Sequence, residues 1–369
     1  MILKCRVALL LAGGRSQRVG APKGVVAVQG RPWLHWQLDA LRAVGISTVV
    51  LVVGHYYEEY AQASEGFSDV IIVRNPQPEL GPFSSLQCGL EVLSKRDWAC
   101  SGVFVLPVDV PVPSASVWQE MSEVAVDGVD AVLPQWDPPS GCFSYGTRPR
   151  SRRGHPVWLA TNVLNEVRAC PSDSPRARLD VVLREVPLHK KKVASVQDVR
   201  PFLNLNYPSD FRSWGPLVVA SIGSDLHVTC RERASVFCVN KGDILVVRAH
   251  DPLCGESYCF PVGGGLELGE SPQKAAEREA WEESGHFVSV EADSFAIGDY
   301  FFPWSGKAFF LRTHFFRGAL KGVDVAWNGV DDPAIKPAWV AVDEAREQLH
   351  RLGGLTNVDE IAKGLVELV

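Results

Sequence analysis

Two stretches of this sequence hold residues of the types and spacing that phosphate chemistry needs. In the second half, Gly264-Gly265-Leu266-Glu267-Leu268-Gly269-Glu270 precedes Arg278-Glu279-Ala280-Trp281-Glu282-Glu283-Ser284-Gly285. If 271–284 is a helix, Glu279, Glu282 and Glu283 fall at i, i+3 and i+4 and share one face. Three carboxylates there repel one another, and a hard divalent cation such as Mg²⁺ or Mn²⁺ turns the repulsion into attraction. Gly264 and Gly265 let the backbone pass close to a phosphate, and the helix N-terminus attracts anions. An ordinary solvated acidic helix, which Glu267 and Glu277 would suit, leaves Gly264, Gly265 and Gly285 in register unexplained.

In the first half, an apolar run at 7–11 leads into Leu11-Ala12-Gly13-Gly14-Arg15-Ser16-Gln17-Arg18-Val19-Gly20-Ala21-Pro22-Lys23. A Gly13-Gly14 turn at a strand's carboxyl end offers backbone N–H groups to phosphate oxygens. Arg15, Arg18 and Lys23 add positive charge, and an arginine can grip a phosphate through two donors. The GxxxxGK[ST] spacing of a Walker loop is absent.

Elements that position these groups are legible as a change of period. Buried strands are expected at 7–11, 48–53, 70–73, 103–106 and 131–133, with helices at 33–44, 84–93 and 114–124 between them. Such alternation implies α/β architecture, a mainly parallel sheet covered on both faces, with ligands beyond the strands' carboxyl ends. The stretch 134–156 is rich in Pro, Gly and Ser and carries Arg148, Arg150, Arg152 and Arg153. It suits either a disordered loop or a flap over an anionic ligand. A last helix at 207–214 and the Gly215-Pro216 pair suggest a boundary, giving domains of 1–214 and 217–369. Beyond it, strands at 236–239 and 244–248 around Lys241-Gly242-Asp243 read as a hairpin. Further strands are expected near 294–300 and 308–317, and a C-terminal helix from Asn357.

Composition bounds the class. At 369 residues, with 46% hydrophobic and 22% charged content, the chain reads as a soluble globular protein with room for two cores. A net charge of -6 argues against general affinity for nucleic acid. The nine cysteines are scattered without a CxxC pair, which argues against a zinc site and for a reducing compartment. The apolar run at 7–11 is too short to span a membrane and does not resemble a signal peptide, so the cytoplasm is the default. Nothing in the sequence sets an oligomeric state.

The second motif resembles the Nudix box. That resemblance implies an α/β/α Nudix fold with a mixed sheet, and hydrolysis of a nucleoside diphosphate linked to another group. It makes Glu279, Glu282 and Glu283 the metal ligands, with Arg278 orienting them and Glu270 supporting the metal shell. His286 stands where the family expects an apolar residue. The first motif resembles the nucleotide-binding signature of MobA-like nucleotidyltransferases, whose members attach GMP or CMP to molybdopterin. The implied fold is a Rossmann-like, mainly parallel sheet of the nucleotide-diphospho-sugar transferase type. Leu11, Ala12, Gly13, Gly14, Arg15, Arg18 and Lys23 would bind the triphosphate, and Ser84 and Ser85, after Gly81-Pro82-Phe83, the nucleoside.

By the same resemblance, Asp109 in Pro107-Val108-Asp109-Val110-Pro111 matches an Asp-x-Pro metal element. Asn206 in Leu205-Asn206-Tyr207-Pro208 is the second ligand, with Asn204 close behind. Read alone, Asp109 suits a turn and Asn206 an Asx cap. Ser84-Ser85-Leu86 and Gly154-His155-Pro156-Val157 look like the cytidylyl branch and Asn206 like the guanylyl branch, which leaves base preference open with a lean to CTP. His155 suits a structural or acceptor-binding role. The expectation is a bifunctional enzyme that transfers a nucleotidyl group from an NTP to a small phosphorylated acceptor such as molybdopterin, and hydrolyses a nucleoside diphosphate derivative. Mg²⁺ or Mn²⁺ is the expected cofactor. A sugar phosphate acceptor, or a Nudix domain serving as a nucleotide-binding sensor, remains the alternative.

Overall fold

In the computed structural model, which describes residues 7–95, 101–294, 296–329 and 335–349, the first apolar run forms the strand Val7–Ala12 inside an eight-stranded sheet. The strand order is Lys191–Ser195, Ala131–Trp136, Val157–Ala160, Gly102–Pro107, Val7–Ala12, Thr48–Val53 and Val70–Arg74, with Arg152–Arg153 pairing with Ala131–Trp136. Neighbours run parallel except at Val157–Ala160 and Arg152–Arg153, which are antiparallel to their partners. Ala8, Leu9, Leu10 and Val50 to Val53 are wholly buried, which is why these strands read as continuous apolar runs rather than as alternations.

Two features of this sheet place the site. Val7–Ala12 lies beside Gly102–Pro107 with Leu11 opposite Pro107, so the loops that leave the two strands emerge side by side. The helix Pro82–Ser94 buries Phe83, Leu86, Leu90 and Leu93, the spacing that turns one apolar face inward. Gly81, Pro82 and Ser85 at its N-terminus line one cavity with Gly13, Gly14 and Asp109 from those loops.

The chain divides into two units, Met1–Asp137 with Arg150–His227, and Pro138–Pro149 with Val228–Val369. The helix Pro208–Ala220 runs through Gly215-Pro216, the pair expected to mark a break. Burial of Phe211, Trp214 and Val218 along one face outweighs the missing N–H of Pro216. The Pro- and Gly-rich stretch at 134–156 is also not one flap. Arg152–Arg153 joins the first sheet, whereas Pro138–Pro149 packs within the second unit.

The second unit has a seven-stranded mixed sheet in the order His286–Val290, Lys307–Val323, Thr229–Asn240, Ser257–Gly265, Asp243–His250 and Ile335–Ala341, with Ala296–Trp304 pairing with Lys307–Val323. Thr229–Asn240 runs parallel to Lys307–Val323, and the remaining pairs are antiparallel. Lys241 and Gly242, at φ 54° and 88°, make the two-residue hairpin turn. Val236 packs with Ala275, Ala276 and Ala280 of the helix Pro272–Ser284. Its neighbour Phe237 points to the other face and packs with Val246, Phe315, Val342 and Ala345. One sheet thus buries a helix on each side. The helix expected from Asn357 lies outside the described residues.

In the first unit, Asp198 and Arg200 form a buried pair at 2.7 Å, 0% and 1% exposed. Asp198 also accepts from the N–H groups of Ser114 at 2.8 Å and Leu226 at 3.3 Å, and Arg200 donates to the Ser224 carbonyl at 2.5 Å. Asp198→Ala leaves a buried guanidinium without its counter-charge and should destabilise the first unit by about 3–5 kcal/mol. Thermal or urea unfolding of the full chain measures this, and a change below about 1 kcal/mol would show the pair to be dispensable.

Candidate active sites

In the first unit the two loops at the strand ends enclose a cavity of about 520 Å³. Its wall includes the expected Leu11, Ala12, Gly13, Gly14, Arg15, Arg18, Lys23, Ser85, Asp109 and Asn206. Gly13 is held against Ser85, where a Cβ would lie 2.4 Å from the serine Oγ; Gly14 faces open space. The first glycine is needed for close packing, and the second leaves its backbone open to a ligand.

At one side of the cavity the Lys23 ammonium donates to Asp109 Oδ2 at 2.6 Å and to Asn206 Oδ1 at 2.9 Å. Two oxygen donors from the ends of separate elements thus converge on one cation. Lys23 was expected on the phosphates; in the structure its charge sits on this pair. Asn206 is aimed by Asp210, whose carboxylate accepts from the N–H groups of Asn206 at 2.7 Å and Tyr207 at 2.8 Å. Burial pushes the Asp210 carboxyl up to about 6 against those hydrogen bonds. Arg15 donates to His55 at 3.3 Å, and the Arg18 guanidinium lies 5.7 Å from the Tyr207 ring.

Ser84, expected at the nucleoside, sits elsewhere, and His155, read as structural or acceptor-binding, is packed away from the cavity wall. Ser84 is buried and turned from the cavity, donating to the Gly81 carbonyl at 2.8 Å and accepting from Asn75 at 2.9 Å. His155 is packed beside the sheet, 3.4 Å from the Val105 carbonyl, and burial lowers its pKa, so it is held as a neutral ring. Several positioning residues had no sequence signal. Trp33 and Gln37 bind the Val108 carbonyl at 2.8 and 3.3 Å, Gln37 also binds the Val110 carbonyl at 2.7 Å, and the Tyr60 hydroxyl accepts from Gly24 at 3.0 Å. Each fixes a loop that carries Lys23 or Asp109. A lone Gln or Tyr on an apolar helix face reads as a tolerated polar residue until its partner across the fold is known.

In the second unit the helix Pro272–Ser284 starts on Ser271, whose side chain accepts from Lys274 N–H, and ends on Gly285 at φ 69°. The face carrying the glutamates meets the glycine strand directly. A Cβ on Gly264 would lie 2.2 Å from the Glu279 carboxyl, and Gly263 N–H donates to Glu283 at 3.0 Å. Arg278 organises the rest. It grips Glu270 through two bonds of 2.9 and 2.8 Å and donates to Glu279 at 2.9 Å, to Glu282 at 2.7 Å and to the Gly265 carbonyl at 2.9 Å.

The three glutamates are not equivalent. Burial raises Glu279 against the pull of Arg278, and burial in a deeper setting pushes Glu283 up to about 7. Glu282 is half exposed. Arg278 holds Glu270 well below the usual carboxylate range. Among the described residues, no three His, Cys, Asp or Glu side chains are gathered on one point as a metal cage. The donors are all carboxylate oxygens, the chemistry that suits Mg²⁺ or Mn²⁺, and Arg278 now stands between Glu279 and Glu282.

A family model described as a MobA-like NTP transferase domain matches residues 8–189, and a NUDIX domain model matches residues 230–356. The bifunctional protein GlmU of Trichlorobacter lovleyi is 30% identical over 152 residues, 40% of this chain and 32% of that protein. The molybdenum cofactor guanylyltransferase of Ectopseudomonas mendocina is 30% identical over 104 residues, 28% of this chain and 47% of its own length. These matches span less than half of either relative. Among solved structures, Rv0371c of Mycobacterium tuberculosis H37Rv matches 56% of this chain and 96% of its own at 20% identity, with a TM-score of 0.44. A NUDIX hydrolase from Nitrosomonas europaea matches 32% of this chain and 76% of its own at 26% identity, with a TM-score of 0.26.

Gly264→Ala tests the geometry of the second site. The new methyl collides with the flexible end of Glu279 and not with backbone, so the fold should hold while Glu279 is pushed off Arg278. A displacement of that kind should lower hydrolysis about a hundredfold with little change in melting temperature. Assay of the purified variant on a panel of nucleoside diphosphate derivatives is the check; near-normal turnover would detach Glu279 from the chemistry.

Proposed function

This chain joins a MobA-like NTP transferase domain to a NUDIX domain, and from that premise we propose that one enzyme both transfers a nucleotidyl group and hydrolyses a nucleoside diphosphate derivative. In the first reaction an oxygen of the acceptor's phosphate attacks the α-phosphorus of an NTP. The bond from that phosphorus to the bridging oxygen breaks, and pyrophosphate leaves. The N–H groups of Gly13 and Gly14, with Arg15 and Arg18, hold the triphosphate, and Lys23, held on Asp109 and Asn206, adds its charge at the edge of the same cavity, so the protein contributes position and positive charge. The observation that carries this reading is the convergence of Asp109 and Asn206 on one cation at the edge of the cavity. The acceptor is a small phosphorylated molecule. Molybdopterin is favoured by the match to a molybdenum cofactor guanylyltransferase; Ser84-Ser85-Leu86 and the Gly154–Val157 sequence give a mild lean to CTP as donor, against which Asn206 and that match lean to GTP.

In the second reaction, water attacks a phosphorus of the pyrophosphate linkage. Glu279, Glu282 and Glu283 would hold the metal ion, and one of them or a loop carboxylate takes the proton from water. Arg278 keeps their orientation, and the backbone at Gly264 and Gly265 receives the phosphates. A bound Mg²⁺ or Mn²⁺ would supply positive charge against the phosphates in either unit and, in the second, acidify the attacking water. Asp109 and Asn206 would be the residues that hold it in the first unit. Among the described residues no helix is long and apolar enough to cross a membrane; a cytoplasmic location is supported by the nine scattered cysteines, which suit a reducing compartment.

Two substitutions in the full chain separate the activities. Asp109→Asn removes the one full negative charge of a pair whose other member is already neutral. Pyrophosphate release from NTP plus acceptor should fall by about a hundredfold or more while NTP affinity falls much less. Release at the wild-type rate would move the metal site elsewhere and remove the reading's main support. Glu282→Gln should nearly abolish hydrolysis at saturating Mg²⁺ and leave NTP binding by the first unit intact. The side chain is half exposed, so loss of fold would not account for the effect. Unchanged hydrolysis would take Glu282 out of the site.

A further inference from the structure

Seven cysteines among the described residues are free thiols, and two of them, Cys142 and Cys230, come from sequence-distant parts of the second unit. Cys230 lies on the strand Thr229–Asn240, and Cys142 on the segment Pro138–Pro149. The segment is tied to that strand at Glu232. Ser144 N–H donates to the Glu232 carboxylate at 2.6 Å and Tyr145 N–H at 3.1 Å. Two residues earlier on both chains come Cys142 and Cys230, and alternation puts Cys230 on the same face of the strand as Glu232.

The residue between is fixed as well. The Phe143 ring lies 5.6 Å from the ring of Phe310, the strand neighbour of Cys230, and 4.8 Å from the Arg312 guanidinium. Arg312 also donates to the Tyr145 carbonyl at 2.8 Å, while it is itself held by Asp299 at 2.8 Å. Glu232 pairs with His314 at 2.9 Å. With backbone and side chains pinned on both sides, the Cys142 thiol rests against that of Cys230, and both are half-buried.

We propose that Cys142 and Cys230 form a reversible disulfide that locks Pro138–Pro149 onto the strand Thr229–Asn240. The oxidant is of the peroxide class. The Cys142 sulfur takes one oxygen from hydrogen peroxide, giving a sulfenic acid and one water. The Cys230 sulfur then forms the S–S bond and displaces the hydroxyl, which leaves with the Cys230 proton as a second water. Two thiols lose two electrons and two protons, and the peroxide is reduced to two waters. Burial and contact with Cys142 push the Cys230 thiol up, so the attack on peroxide is assigned to Cys142. A small thiol reverses the bond by exchange.

The test uses the full chain, titrated with hydrogen peroxide, blocked with N-ethylmaleimide and digested with trypsin without reduction. A peptide containing Cys142 joined to one containing Cys230 is expected in the mass spectrum. It should disappear with dithiothreitol and be missing from Cys142→Ser and Cys230→Ser. If both residues carry maleimide, or only sulfinic acid, at a dose that oxidises other thiols, the disulfide is excluded. The lock has its own readout, because Phe143 and Tyr145 offer chymotrypsin sites whose cleavage needs local opening. Oxidation should slow cleavage there about tenfold or more in the wild type and leave Cys142→Ser unaffected. Unslowed cleavage in protein shown to be cross-linked would overturn the lock.

Discussion

Carboxylates gathered at one place for work on phosphates repel one another, and the chain has to offset that repulsion while it folds. In the second unit a single internal cation does so. Arg278 spreads its donors over Glu270, Glu279, Glu282 and the Gly265 carbonyl, which ties the helix Pro272–Ser284 to the loop before it. The planar fork of arginine suits this because five donors leave one plane in fixed directions. In the first unit the requirement is smaller, one carboxylate and one amide, and a lysine suffices at 2.6 and 2.9 Å. A compact ammonium approaches two oxygens at once, as a metal ion would.

Everything else in the two sites serves to bring the donors to those cations. Asp109 and the loop carrying Lys23 come together because Gly102–Pro107 and Val7–Ala12 are adjacent parallel strands. Their loops are then fixed by buried polar side chains that reach across the fold, Trp33 and Gln37 on the Val108 and Val110 carbonyls and Tyr60 on Gly24. In the second unit the same task falls to close backbone approach, with Gly264 leaving room for the Glu279 carboxyl and Gly263 N–H holding Glu283. A side chain at Gly264 would occupy the place of the Glu279 carboxylate itself.

The segment Pro138–Pro149 shows how a chain can be read correctly in composition and still be misplaced in space. Its prolines and glycines rule out a regular element, and its neighbour arginines suggest a cover for an anion. What fixes it is different: the Glu232 carboxylate accepting two of its N–H groups, Arg312 on its carbonyl at Tyr145, and Phe143 against Phe310. None of these partners lies within 80 residues of it in the sequence.

What the sequence determined by itself were the features set by local spacing. Apolar runs fixed the parallel strands, i, i+3 and i+4 spacing put Glu279, Glu282 and Glu283 on one helix face, and Lys241-Gly242 set a hairpin turn. The glycine loops at 11–23 and 264–270 were legible for the same reason, since backbone freedom is a property of the residue. Tertiary structure alone decided which donors share a cation. Ser84 and Ser85 are adjacent, yet helix geometry turns Ser85 to the cavity and Ser84 onto the Gly81 carbonyl and Asn75. Lys23 meets Asp109 and Asn206 across 86 and 183 residues of chain. The Gly215-Pro216 pair, a sound local signal for a break, lies inside a helix because Phe211, Trp214 and Val218 are buried along it. Local sequence sets what each residue can do at its own backbone position; long-range packing sets which charges meet, because electrostatic partners are chosen by distance in space.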